Sequence, residues 1–181
     1  MKKLLLPFML FALVFAAACS NDEVNNSNEN ASNSANSEET TNSETDVKGA
    51  LLDFQMNLIQ TVNKNDSPIY GFEAAKVAED KPSDEELAKM KSEAESAAKQ
   101  VAEDVRGVEV PAELETYQSD IESALEDLAK SYETRAANLS DEAEAAYEES
   151  DAQFASFEEK MGSVYKDAGL TAPSFAADLV D

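Results

Sequence analysis

The chain has 181 residues, with 14 Lys and Arg against 38 Asp and Glu, a net charge of −24 at neutral pH. That balance excludes nucleic acid as a partner, because affinity for a phosphate backbone comes from clustered Lys and Arg, and anionic membrane surfaces repel such a protein. There is no His and Cys19 is the lone cysteine, which excludes Ser-His-Asp and Cys-His catalysis, the Glu-x-x-His ligands of di-iron bundles and any disulfide within the chain.

Met1-Lys2-Lys3 is a short cationic start, followed from Leu4 to Ala18 by an apolar run of 15 residues interrupted by Pro7. Secretory signals have this architecture, whereas a membrane-spanning helix needs roughly 17–25 apolar residues. The run ends in Ala16-Ala17-Ala18-Cys19. Small side chains directly before a cysteine resemble the bacterial lipobox, although that pattern usually carries Leu where this chain has Ala16. The resemblance implies cleavage between Ala18 and Cys19, a diacylglycerol thioether on the Cys19 sulfur, and attachment to the outer face of the cell membrane. The alternative is an ordinary secretion signal that leaves a free thiol at the new terminus.

Between Ser20 and Asp46 there are eight Asn, six Ser, three Thr and seven acids, with only Val24, Ala31 and Ala35 apolar. Nothing there buries enough surface to offset the entropy of ordering, so residues 19–46 are expected to be a lipidated cysteine and a flexible tether. The domain boundaries follow as 1–18 for the signal peptide, 19–46 for the tether and 47–181 for one folded domain.

From Val47 onward the periodicity is helical. Val47, Leu51, Phe54, Leu58 and Val62 mark a first helix that ends near Asn63. Leu87, Met90, Ala94, Ala97, Val101 and Val105 mark a second, opened by the capping box Ser83-Asp84-Glu85-Glu86 and closed by Gly107. A third runs from Pro111 along Leu114, Tyr117, Ile121, Leu125, Leu128, Tyr132, Ala136 and Leu139. A fourth starts directly at Ser140-Asp141-Glu142, follows Ala143, Tyr147, Ser150, Phe154, Phe157, Met161, Val164 and Ala168, and stops at Gly169. A short final turn is expected within Ser174–Val180. The expected fold is all-α, an up-down four-helix bundle, with a three-helix bundle and a loosely docked first helix as the alternative.

The connection 64–82 is long for a bundle. It is read as a loop with a short helix at Phe72–Ala78. Ile69, Tyr70 and Phe72 within it either plug one end of the core or form the candidate partner contact. Arg135, beside the core stripe, is expected to pair with Glu144 or Glu148 rather than to anchor an anionic ligand. The eight acids within residues 140–159 read as a solvated helix face rather than a cation site. No phosphate-binding loop, calcium loop or metal-ligand spacing occurs, so no enzymatic activity, cofactor or metal is expected.

The Lys2-Lys3 signal, Cys19, the Asn/Ser-rich tether and the His-free acidic helical domain together resemble small lipoproteins of Gram-positive bacteria, with an architecture similar to that of cell-wall-binding lipoproteins. The resemblance implies a monomeric, non-enzymatic protein of the cell envelope whose bundle docks an envelope protein or the cell wall. The residues themselves leave a second reading, an extracytoplasmic binding protein for a small ligand or cation held between helices.

Overall fold

The structure is a computed structural model that describes residues 38–143 and 145–179, with side chains from Glu44 onward. Ala18, Cys19 and most of the expected tether lie outside the described residues, as do Glu144 and Val180. Among the described residues the fold is all-helical: α1 (Glu38–Asn63), α2 (Ser67–Val77), α3 (Asp84–Arg106), a 3-10 segment (Ala112–Tyr117), α4 (Gln118–Asn138), α5 (Glu148–Asp167) and α6 (Phe175–Asp178). None of them is long and apolar enough to cross a membrane.

The apolar stripes became the core. Leu51, Phe54, Leu58 and Val62 of α1, Ile121, Leu125 and Leu128 of α4, and Phe157, Met161 and Val164 of α5 are buried in one cluster. On α3 the buried face is Ala94, Ala98, Val101, Ala102 and Val105, and its small side chains let neighbouring helices approach closely. The capping box forms as expected, with the Glu86 N–H donating to Ser83 Oγ at 3.3 Å and the Ser83 N–H donating to Glu86 Oε2 at 3.0 Å. Gly169, at φ +72°, takes the left-handed position that ends α5. There the Gly169 N–H donates to the Lys166 carbonyl and the Leu170 N–H to the Tyr165 carbonyl, which satisfies the last turn.

Four boundaries differ from the expectation. First, α1 begins at Glu38, so residues 38–46 are helical rather than tether. Glu44, Thr45 and Asp46 are exposed, and apolar periodicity marks where a helix is buried, not where it starts. Second, the connection 64–82 holds a full helix, α2, that begins before Phe72. Pro68 lies in its first turn, where a missing N–H costs nothing, and a Cβ built on Gly71 meets nothing within 4 Å. Third, the segment after Pro111 is a 3-10 turn, and α geometry starts only at Gln118. Fourth, Ser140-Asp141-Glu142 does not open α5. Ser140 Oγ accepts from the Glu142 N–H at 3.1 Å in a local turn, residues 139–143 and 145–147 are not helical, and α5 starts only at Glu148.

Hydrogen bonds fix the directions. Arg135 meets Asp151 while Asp127 and Ser123 meet Lys160, so α4 and α5 are antiparallel. Phe72 packs with Ala94 while Asn65, just before α2, donates to Asp104 at 2.7 Å, so α2 runs antiparallel to α3. Arg106 near the end of α3 pairs with Glu126 and Glu133 of α4. The long helix α1 packs on α3 and on the 3-10 segment. Tyr165 Oη of α5 donates to the Leu51 carbonyl at 2.8 Å, and Asn57 and Thr61 share a surface groove with Gly107–Ala112.

Two neighbours on α2 separate packing from propensity. Phe72→Ala is expected to cost about 3–5 kcal/mol, because a wholly buried ring is removed from a site that relaxes only in part. Gly71→Ala is expected to stabilise by roughly 0.5–1 kcal/mol, since helix propensity rises and space is open. Urea unfolding of the full chain reads both, and a destabilised Gly71→Ala would contradict a continuous α2.

Candidate functional site

Lys76 of α2 is only 1% exposed. Its ammonium makes a 2.7 Å ion pair with Glu73, donates to the Ser140 carbonyl at 3.0 Å and donates to Tyr147 Oη at 3.3 Å. Tyr147 in turn donates to Glu73 Oε1 at 2.8 Å. Burial pushes the Lys76 pKa down, but hydrogen bonds to Glu73 and Tyr147 outweigh it and hold the group above its ordinary value of 10.5. The cluster ties α2 to the irregular segment before α5. An ammonium taken from water needs several acceptors, and the Ser140 carbonyl and Tyr147 Oη, both outside helical backbone, supply two of them.

The Tyr147 ring carries the arrangement onward. Arg135 of α4 lies 4.1 Å from the ring centroid, its Nη2 donates to Asp151 Oδ1 at 2.9 Å and its Nε to Ser150 Oγ at 3.4 Å. Ser150 Oγ donates to the Ser131 carbonyl at 3.0 Å. The guanidinium is therefore held on one face by an aromatic ring and on one edge by two side chains of α5.

Beside it is a half-open cavity of about 330 Å³. Ile69 and Tyr70 of α2 form one wall, Ser131, Tyr132 and Arg135 of α4 the floor, and Ser150, Asp151 and Phe154 of α5 the opposite wall. Ala176 and Leu179 close it from above. The covering segment is pinned at several points: Phe175 packs on Phe157 with ring centroids 4.8 Å apart, Tyr70 Oη donates to the Leu179 carbonyl, and the Ala176 N–H donates to Glu158 Oε1 at 3.0 Å. Burial raises the pKa of both phenols, Tyr70 and Tyr132, so both are neutral donors at physiological pH. Asp66, 3% exposed and just before α2, is likewise pushed above the usual carboxylate range by burial, against the opposing effect of its own backbone N–H.

Of the residues singled out in the sequence, Ile69 and Phe72 are buried, at 4% and 0% exposed, and neither offers a surface for docking a protein, although Ile69 lines the cavity. Phe72 packs with Ala94 and Leu139 as a plug at one end of the core. Tyr70 is half-buried on the cavity wall. Arg135 pairs with Asp151 rather than with Glu148, because α5 starts later than expected and its first turn faces α4 differently; Glu144 is outside the described residues. Lys76 gave no signal in the sequence, where a lone lysine on a short helix reads as solvated. Among the described residues no group of three or more Asp, Glu, His or Cys side chains converges as a metal ligand set would.

Replacing Lys76 by Met is expected to cost about 1–3 kcal/mol at neutral pH, since Glu73, Tyr147 and the Ser140 carbonyl lose their shared donor. The folded-state pKa is raised, so this contribution is complete below the ordinary lysine value of 10.5 and is lost as pH rises through the folded value. The buried tyrosines, including Tyr165 pushed up to about 12, act with the same sign in both proteins. Thermal unfolding of wild type and Lys76→Met between pH 7 and about 11.5 isolates the lysine: the gap between them should narrow above the lysine range, and a constant gap would contradict the assignment.

Comparisons with models of protein families, with curated proteins and with solved structures return no match.

Proposed function

We propose that this chain is a lipid-anchored, non-enzymatic protein on the outer face of the cell membrane, and that its helical domain binds a small organic ligand in the seam between α2 and α5. The cavity beside Arg135 is the observation that supports binding. Its volume of about 330 Å³ is at the low end of the range typical of small-molecule sites. Its walls are mainly apolar, and a few polar groups converge on one side, as ligand orientation requires. Anchoring rests on the sequence, in which Ala18-Cys19 follows a short apolar run and two acyl chains suffice for stable attachment.

With this goes the finer architecture we infer: α2, α3, α4 and α5 alternate up and down around one core, with α1 laid across its end. In that arrangement α2 takes the place expected of α1. A second reading, docking of an envelope protein or the cell wall, no longer has Ile69 and Phe72 for a contact surface. It is favoured instead by Leu52 and Met56, one turn apart on α1 and 50% and 59% exposed.

Two experiments test the two halves. Cys19→Ser should move the chain from the membrane fraction to the medium or leave it uncleaved, and normal processing with salt-resistant membrane attachment would contradict the anchor. For binding, Ala176 is exposed and lies at the cavity mouth, so Ala176→Trp should plug it without disturbing the core. Ligand-observed NMR of the full chain against a mixture of small aromatic and branched aliphatic molecules should give signals that the plugged variant loses. Signals equal in both proteins would place any binding outside the cavity.

A further inference from the structure

The polar side of the cavity has a definite chemistry. Arg135 is 26% exposed, and its guanidinium is already oriented by stacking on Tyr147 and by Ser150. Of its five N–H groups, those on Nε and Nη2 reach Ser150 and Asp151, and the others have no protein partner among the described residues. Asp151, its carboxylate partner, is 63% exposed. Such a water-facing pair is worth little, and exchanging it for another carboxylate leaves the guanidinium paired while Asp151 returns to solvent at small cost. The rest of the lining is mainly apolar, from Ile69, Phe154, Ala176 and Leu179, with Tyr70, Tyr132 and Ser131 beside them.

We propose that the seam selects a small monocarboxylate with a compact apolar body, its carboxylate bound to the Arg135 guanidinium in place of Asp151 and its body against Ile69, Phe154 and Leu179. This rests on the small-ligand reading above. A planar fork of donors suits a carboxylate, which accepts two parallel N–H bonds, better than it suits a neutral carbonyl or a cation. The cavity volume limits the body to about one ring or a short branched chain. Asp151 then acts as an internal competitor that the ligand displaces.

The test is a calorimetric titration of the full chain with phenylacetate, phenylacetamide and phenethylamine, which share a body and differ in head-group charge. Phenylacetate should bind about tenfold or more tightly than either of the others, the difference a charged hydrogen-bonded pair supplies. Arg135→Gln should erase that preference. Asp151→Asn, a change at an exposed position, should raise phenylacetate affinity severalfold, an increase that a purely structural role for the pair would not produce. If Arg135→Gln does not fold, Asp151→Asn decides: unchanged or weaker phenylacetate binding overturns the proposal. Equal or tighter binding of the amide or the amine, abolished by Ala176→Trp, overturns the carboxylate chemistry and leaves the ligand-binding function standing. Absence of binding by all three, or binding that Ala176→Trp does not affect, overturns the carboxylate proposal, and a wider mixture that also gives no cavity-dependent signal overturns the function with it.

Discussion

A single buried ammonium determines how the two halves of this domain meet. Lys76 is 1% exposed, and its acceptors come from its own helix and from the segment before α5. A charge in that position is tolerable only if it is multiply hydrogen-bonded, and the Ser140 carbonyl and Tyr147 Oη, both in non-helical backbone before α5, supply two of those bonds. Tyr147 is shared between Lys76, Glu73 and the face of Arg135. The orientation of the guanidinium at the cavity is in this way tied to the lysine that holds the Tyr147 hydroxyl.

The cavity itself follows from helix lengths. α2 has 11 residues, while α3, α4 and α5 have 23, 21 and 20. A short helix among long ones cannot fill its seam from end to end. The chain closes part of the gap by folding back its last turn, anchored by Phe175 against Phe157 and by the Leu179 carbonyl against Tyr70. A four-residue helix is too small to fill what is left, and the space that remains is lined by Arg135 and Phe154 rather than by core leucines.

Most of the helical fold was legible because it rests on burial. The stripes on α1, α3, α4 and α5 were read correctly, and so were the Ser83–Glu86 box and the Gly169 stop. The misses share a cause, which is that local signals were outvoted by tertiary ones. The connection 64–82 reads as a loop with a helix only from Phe72, yet Pro68 sits harmlessly in the first turn of α2, and the roughly 1 kcal/mol cost of a helical glycine at Gly71 is small beside burial of Ile69 and Phe72. Ala143 and Tyr147 kept a helical period across residues that Lys76 holds in another shape. The site was half visible: Tyr70 and Arg135 stood out as unusual, but their convergence depends on residues of α2, α4 and α5 lining one cavity, and no spacing within any one helix encodes that.

The proposed binding site in the cavity lined by α2, α4 and α5 is preformed and organised by Arg135. The most direct measurement is a crystal structure of the full chain grown with phenylacetate. It should show the ring between Ile69 and Phe154, the carboxylate on the Arg135 guanidinium and Asp151 turned to solvent, with Tyr147 and Lys76 unmoved. A seam closed by Phe154 and Leu179 with no room for a ligand, or Arg135 still bound to Asp151 beside an empty cavity, would contradict the account.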